Sequence, residues 1–265
     1  MKCSELMKIL EDYVPARYAM EWDNVGLLTG RRDREIHKIM VALDADKGVV
    51  EEAVRQKVDF LLTHHPVIFS PQKSITDEPG TPEKLLKLIE NGVNCFAMHT
   101  NFDVVHMGRI VCEAMGLKSL APVEMTCTED GILKGIGTVS ELERPMSAGD
   151  FAEVVKNTFG IEHVLLFGNK RKIIQKIAAV PGSGRHMEQQ AAGTGADLFL
   201  TGDIGHHEGL DAMELGLTVI DAGHHGLEKI FVDFMGQFLE KNVPVCEIIL
   251  SHTKCPFDVN RAERS

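Results

Sequence analysis

Short, nearly continuous apolar runs alternate with longer amphipathic stretches along most of the chain. The apolar runs, bounded by polar residues, predict strands buried on both faces of an α/β sheet, and the amphipathic stretches predict the helices that cover it. The spacing predicts helix 4–13, strands 25–29 and 38–44, helix 47–57, strand 59–63, helix 82–91, strand 93–99 and helix 106–116. Thr81 is placed to act as N-cap of helix 82–91, with Pro82 at its first position. Strands follow at 132–140, 163–168 and 173–180, with a helix near 147–159 among them. Helix 185–193, strand 197–201, helix 207–215, strand 217–221, helix 225–240 and strand 245–250 complete the pattern.

The second half echoes the first. Residues 38–43 (KIMVAL) are matched by 176–180 (KIAAV), and 59–65 (DFLLTHH) by 197–201 (DLFLT) with His206 and His207 shortly after. Residues 92–99 (GVNCFAMH) are matched by 216–224 (GLTVIDAGH). Any two βαβαβ units share glycine starts and apolar strands, but here histidines also fall at matching strand ends. The expected fold is therefore α/β, with two similar lobes related by an internal repeat and facing each other. The expected division is 1–128 and 129–265, without a Pro/Gly/Ser linker to mark it.

Composition narrows the function classes. A chain of 265 residues, 44% hydrophobic, can bury one large core or two modest ones. A net charge of −11 disfavours nucleic acid and anionic membranes as partners. No run approaches the ~18 apolar residues of a membrane span, and the N-terminal segment reads as an amphipathic helix rather than a signal peptide. The six cysteines show no CxxC spacing and read as free thiols of a cytoplasmic protein.

The strand ends carry the chemistry. His64 and His65 follow run 59–63, Asp103 lies just beyond run 93–99, and His224 follows run 217–221, with Glu228 one helical turn on. In open α/β sheets, ligands collect where loops leave the carboxyl ends of strands. Past a strand end the alternation of side chains breaks, and Pro66 biases His65 toward extended geometry. His224 and Glu228, four apart, share a helix face. These five nitrogen and oxygen ligands suit two divalent ions (Zn, Fe, Mn or Co) sharing a carboxylate better than a thiolate zinc site. His37, His106, His163 and His186 read as ordinary surface, core or helix-start residues.

With these segments the chain resembles the type 2 GTP cyclohydrolase I family, the Ngg-interacting-factor-three-like dinuclear metal proteins. The resemblance runs through residues 22–28 (WDNVGLL), 62–66 (LTHHP), 99–103 (HTNFD), 196–203 (ADLFLTGD), His206 with His207, and 221–224 (DAGH) with Glu228. It implies metal ligands at His64, His65, Asp103, His224 and Glu228, a site between two lobes, and a toroidal homo-hexamer. The chain looks like the short form, without an inserted middle domain. Asp203 stands where the family usually has Glu, and His225 where Tyr is common.

The family name implies hydrolytic opening of the guanine imidazole ring of GTP with release of formate. His99, His206 and His207 are candidate proton shuttles, with Asp203 to orient one of them; support of a ligand is the alternative role for each. Trp22, Asp23, Asn24 and Arg185 are candidate substrate contacts. Arg17 and the 170–172 cluster (KRK) are further cations for a triphosphate, although a solvated turn explains that cluster as well. The glycine-rich turn 181–185 (PGSGR) is a candidate anion contact, but falls short of a full phosphate-binding fingerprint. Two other classes stay open: a metal-dependent phosphoesterase acting on a nucleotide or another phosphometabolite, and a non-catalytic metal-binding scaffold or regulatory protein.

Overall fold

The computed structural model describes residues 1–257. The chain runs α1 (Cys3–Tyr13), a 3₁₀ turn (Ala16–Tyr18), β1 (Gly26–Thr29), β2 (Lys38–Ala42), α2 (Lys47–Arg55), β3 (Phe60–Thr63) and α3 (Thr81–Glu90). It continues through β4 (Asn94–Ala97), α4 (Thr100–Phe102), a π-helical turn (Asp103–Met107) and α5 (Gly108–Ala114). A hairpin follows, β5 (Glu124–Glu129) and β6 (Ile132–Ile136), then β7 (Thr138–Ser147), α6 (Ala148–Phe159), β8 (Leu165–Phe167) and β9 (Ile173–Ser183). Last come α7 (Glu188–Gly193), β10 (Leu198–Gly202), α8 (His206–Glu214), β11 (Thr218–Asp221), α9 (His224–Glu228), α10 (Ile230–Asn242) and β12 (Glu247–Ser251).

Two five-stranded sheets organise these elements, in the orders β1-β4-β3-β2-β12 and β7-β9-β10-β11-β8. The parallel triplet β2-β3-β4 corresponds to β9-β10-β11, and each is flanked by an antiparallel edge strand, β1 on β4 and β8 on β11. The repeat extends to single hydrogen bonds. Asp59 Oδ2 accepts from the amides of His37 and Lys38, at 2.9 and 3.1 Å. Asp197 Oδ2 accepts from Gln175 and Lys176, both at 2.9 Å. In each lobe an aspartate before the second strand thus pins the start of the first, which fixes their register.

Alternation along the strands divides the core into three. Phe60 and Leu62 of β3, and Leu198 and Leu200 of β10, face one inner cluster with Leu6, Ile110, Phe151 and Phe231 from the helices. Leu61 faces the outer cluster of the first sheet and Phe199 that of the second. Strands buried on both faces are what their unbroken apolar runs predict.

The tertiary structure departs from the sequence pattern in several places. The last strand does not stay with the second lobe: β12 pairs parallel with β2, Ile249 opposite Met40. The 128/129 division falls inside the β5–β6 hairpin, and α10 and β12 strap back onto the first sheet. Strand 132–140 is two strands. It breaks at Gly137, whose φ of +68° suits glycine, and where a Cβ would lie 2.6 Å from Ala179 O. Helix 106–116 begins earlier, at Thr100, and widens into the π turn before α5, while helix 225–240 is α9 and α10 in succession. Finally, Gly80 (φ +111°), not Thr81, is the N-cap of α3, so Thr81 and Pro82 both lie inside the first turn. Pro82 still costs nothing there, because first-turn amides lack intrahelical partners.

Candidate metal centre

The carboxyl ends of β3, β4 and β11 converge between the two sheets and bring His64, His65, His99, Asp103, His224 and Glu228 together. Their ligand atoms form three overlapping groups, each within 4.8 Å: His64 with His65 and His99, His65 with His224 and Glu228, and His64 with Asp103 and Glu228. Glu228, 3% exposed, belongs to two of them. It reaches the centre because Gly223 (φ +73°), two residues past β11, caps α9 and turns the chain directly into it.

Hydrogen bonds at the outer ring nitrogens set the tautomers. His64 Nδ1 donates to Met98 O (2.8 Å), His65 Nδ1 to Asp44 Oδ1 (2.7 Å), His224 Nδ1 to Asp203 Oδ2 (2.8 Å) and His99 Nδ1 to Asp23 Oδ1 (2.9 Å). Carbonyls and carboxylates only accept, so each Nδ1 holds the proton and each neutral ring keeps a lone pair on Nε2. These lone pairs point inward. His65 Nε2 lies 3.1 Å and His224 Nε2 2.9 Å from Glu228 Oε2, and His64 Nε2 lies 3.4 Å from Asp103 Oδ1.

Close as they are, His64 Nε2, Asp103 Oδ1 and Glu228 Oε2 are buried without a hydrogen bond of acceptable geometry among the described residues. Burying polar atoms unpartnered costs about 1–3 kcal/mol each, more when charged. Atoms that converge on a common point rather than on one another are what a cation requires. Residues with imidazole and carboxylate donors, no thiolate, and outer-nitrogen partners of this kind fit a divalent ion.

Charge follows the same geometry. Burial alone would lower His65, but the Asp44 and Glu228 carboxylates beside it outweigh that and lift its pKa to about 10. Burial opposes charge on His224 too, yet Glu228 and Asp203 raise it to about 9. Burial, then the neighbouring Glu228 charge, pushes Asp103 up to about 7. Glu228 is held well below the usual carboxylate range, its burial overcome by the surrounding imidazoles.

Other residues singled out from the sequence take different places. The Asp23 side chain is wholly buried, bonded to His99 and to the backbone and hydroxyl of Thr100, and burial notwithstanding these bonds lower it to about 2. Asn24 Nδ2 donates to Ile68 O. Arg185 pairs with Glu208 at 3.3 Å, Arg17 with Glu129 at 2.7 Å, and Lys172 donates to the carbonyls of Asp197 and Gly216. His206 and His207 are exposed at the start of α8, their rings together and outside the cavity. Ile204 turns inward instead, its amide held by Asp221. Asp203 makes this turn at φ +58°, a conformation a short, hydrogen-bonding Asp tolerates better than most residues.

The glycine-rich turn 181–185 serves close packing. A Cβ on Gly182 (φ +78°) would lie 2.1 Å from Glu228 Oε1, and one on Gly184 2.1 Å from Thr201 Oγ1. The sequence reading missed Asp44, although it directly follows run 38–43, and Phe69 and Glu124, which offer no periodic signal. The centre opens into a cavity of about 610 Å³ that Trp22, Phe69, His99, Glu124, Met187 and Glu228 help to line.

A two-lobed α/β protein with a candidate metal centre at the junction of its lobes is thus the class that fold and site define. Residues 1–256 match the model of the Duf34/NIF3 (NGG1p interacting factor 3) family, and the chain belongs to this family. A Clostridium perfringens relative named GTP cyclohydrolase 1 type 2 homolog is 32% identical over 262 residues, covering 97% of this chain and 99% of its own. Among solved structures, a Staphylococcus aureus hypothetical protein aligns with a TM-score of 0.89 at 30% identity, over 98% of this chain and 99% of its own. A Bacillus cereus protein related to NIF3 shares the fold with a TM-score of 0.94 at 23% identity, over 98% and 99%. Among the described residues, no helix is long and apolar enough to cross a membrane.

Proposed function

We propose that this chain is a dinuclear metal-dependent hydrolase of the GTP cyclohydrolase 1 type 2 kind, opening the guanine ring of a nucleotide with loss of C8 as formate. The observation that carries the reading is the set of unpartnered, inward-facing donors around Glu228. In this reading His64, Asp103 and Glu228 hold one ion, and His65, His224 and Glu228 the other. Zn, Fe, Mn and Co all suit such donors. When bound, the ions supply Lewis acidity and an activated water.

The chain supplies the rest. His99, its Nδ1 fixed by Asp23, presents Nε2 beside His64 and His65 and is placed to move a proton to or from a ring nitrogen. Asp44 and Asp203 keep His65 and His224 in register. The same reading includes a toroidal homo-hexamer, supported by the exposed apolar residues Met125, Ile132 and Leu133 on the β5–β6 hairpin. Light scattering at micromolar concentration tests it; a monomer mass would remove the assembly from the proposal.

For activity, metal-reconstituted protein is incubated with GTP while formate and pterin fluorescence are followed. Turnover that vanishes on chelation is the expected result. Full metal occupancy without turnover of GTP, alongside cleavage of phosphate esters, would replace this reading with a phosphoesterase.

A further inference from the structure

The cavity beside the centre carries its own information about what enters it. Trp22 and Phe69 are 63% and 64% exposed, although large aromatic side chains normally bury most of their surface. They stand together at the cavity wall, ring centroids 6.0 Å apart and tilted by 58°. His99 completes an aromatic corner, edge-on to both, with centroids 6.0 Å from Trp22 and 6.3 Å from Phe69. None of these three contacts is face to face, so no ring stacks on Trp22 or Phe69, and both keep most of their surface exposed.

The rest of the lining is as telling. Among the described residues, no lysine or arginine lines this cavity. Arg17, Arg185 and Lys172, the cations the sequence offered for a substrate or its triphosphate, are held elsewhere by Glu129, Glu208 and backbone carbonyls. The charged side chain on the hairpin side is instead Glu124 of β5, a partly buried carboxylate with no side-chain ion pair or hydrogen bond among the described residues. A carboxylate in this position accepts hydrogen bonds and repels anions.

We infer that the cavity selects a planar nitrogen heteroaromatic ring that carries N–H donors, stacked on Trp22 and Phe69 and read by Glu124, and that a polyphosphate tail contributes little to its recognition. The inference rests on taking the neighbouring histidines and carboxylates as the reaction centre, and it assigns specificity to the ring. Stacking on an aromatic side chain is worth roughly 5- to 150-fold in affinity per ring, enough to orient a purine or pteridine without help from phosphates.

Trp22 is the one tryptophan of the chain, so its emission reports the site directly. Zinc-loaded protein is titrated with guanosine, GTP, purine riboside (a ring without N–H donors) and inorganic tripolyphosphate. Guanosine and GTP should quench Trp22 saturably, with dissociation constants within about tenfold of each other. Tripolyphosphate should neither quench nor compete. Phe69→Ala should weaken guanosine roughly tenfold or more with metal content unchanged. Glu124→Ala should weaken guanosine and leave purine riboside unaffected.

Three results would overturn the inference: no heterocycle changes Trp22 emission, tripolyphosphate competes with GTP while guanosine does not bind, or emission follows protein concentration alone, which would make the rings a contact between copies. Binding without turnover would sink the hydrolase reading and leave this one standing. Turnover of GTP that Phe69→Ala does not touch would do the reverse.

Discussion

His65 Nε2 and His224 Nε2 stand 3.1 Å apart, although 159 residues and two different sheets separate them. Both rings donate their Nδ1 protons to carboxylates, so when neutral they turn lone pairs toward each other. Only a shared proton or a cation makes that approach favourable.

Metal content is the first consequence. Elemental analysis of reconstituted protein should approach two ions per chain, as five to six convergent ligands around a shared carboxylate allow. Asp103→Ala should lose at least one ion. Unchanged content in this variant would refute its place as a ligand.

Asp44 and Asp203 touch the imidazoles from outside. Removing such a support typically lowers metal affinity by about 10- to 100-fold. Asp44→Ala and Asp203→Ala should each do so in competition with a chromogenic chelator, while circular dichroism stays that of the parent. An unaltered affinity would show that packing alone orients the rings.

Metal uptake should release protons. With His65 lifted to about 10 and His224 to about 9, the pair holds at least the proton it shares at pH 7 in the metal-free protein, and Asp103 near 7 is partly protonated. Ions must displace these protons, so apparent affinity rises with pH. Calorimetry in buffers of different ionisation enthalpy measures the release directly; a buffer-independent enthalpy would contradict it. The linkage to folding has the opposite sense. Raised folded pKa values stabilise the metal-free protein below about 6.5, and this contribution is lost as pH climbs through 9 and 10.

His106 gives an acid-side counterpart. Burial, reinforced by the charges of Arg109 and Lys134, lowers it to about 4, and its ring stacks on Tyr13 at 4.6 Å. The unfolded chain takes up this proton near pH 6.5 and the folded chain only near 4, so stability falls with pH across that window. The effect is on the order of 3 kcal/mol when complete. Urea unfolding at pH 7 and 4.5 should show a larger loss for the parent than for His106→Phe, which keeps a ring against Tyr13. Equal losses would assign the acid sensitivity to other groups.

How much of this was legible in the sequence depends on range. Strands buried on both faces announce themselves by unbroken apolar runs, and residues just past their ends sit where an α/β sheet exposes its chemistry. That local rule singles out His64, His65, Asp103, His224 and Glu228, the repeat divides them between two lobes, and the fold brings their ligand atoms together. Tertiary structure alone decided what joins across the chain. Residues 247–251 look like any other strand, and only pairing with β2 shows that the C-terminal segment returns to the first sheet. His206 follows a strand end just as His64 does, yet Ile204 turns inward there and leaves it outside. Asp44 as partner of His65, and Phe69 and Glu124 at the cavity, depend on loop paths that periodicity does not encode. A strand end says that a side chain can reach a site; the packing of distant elements determines which side chains do.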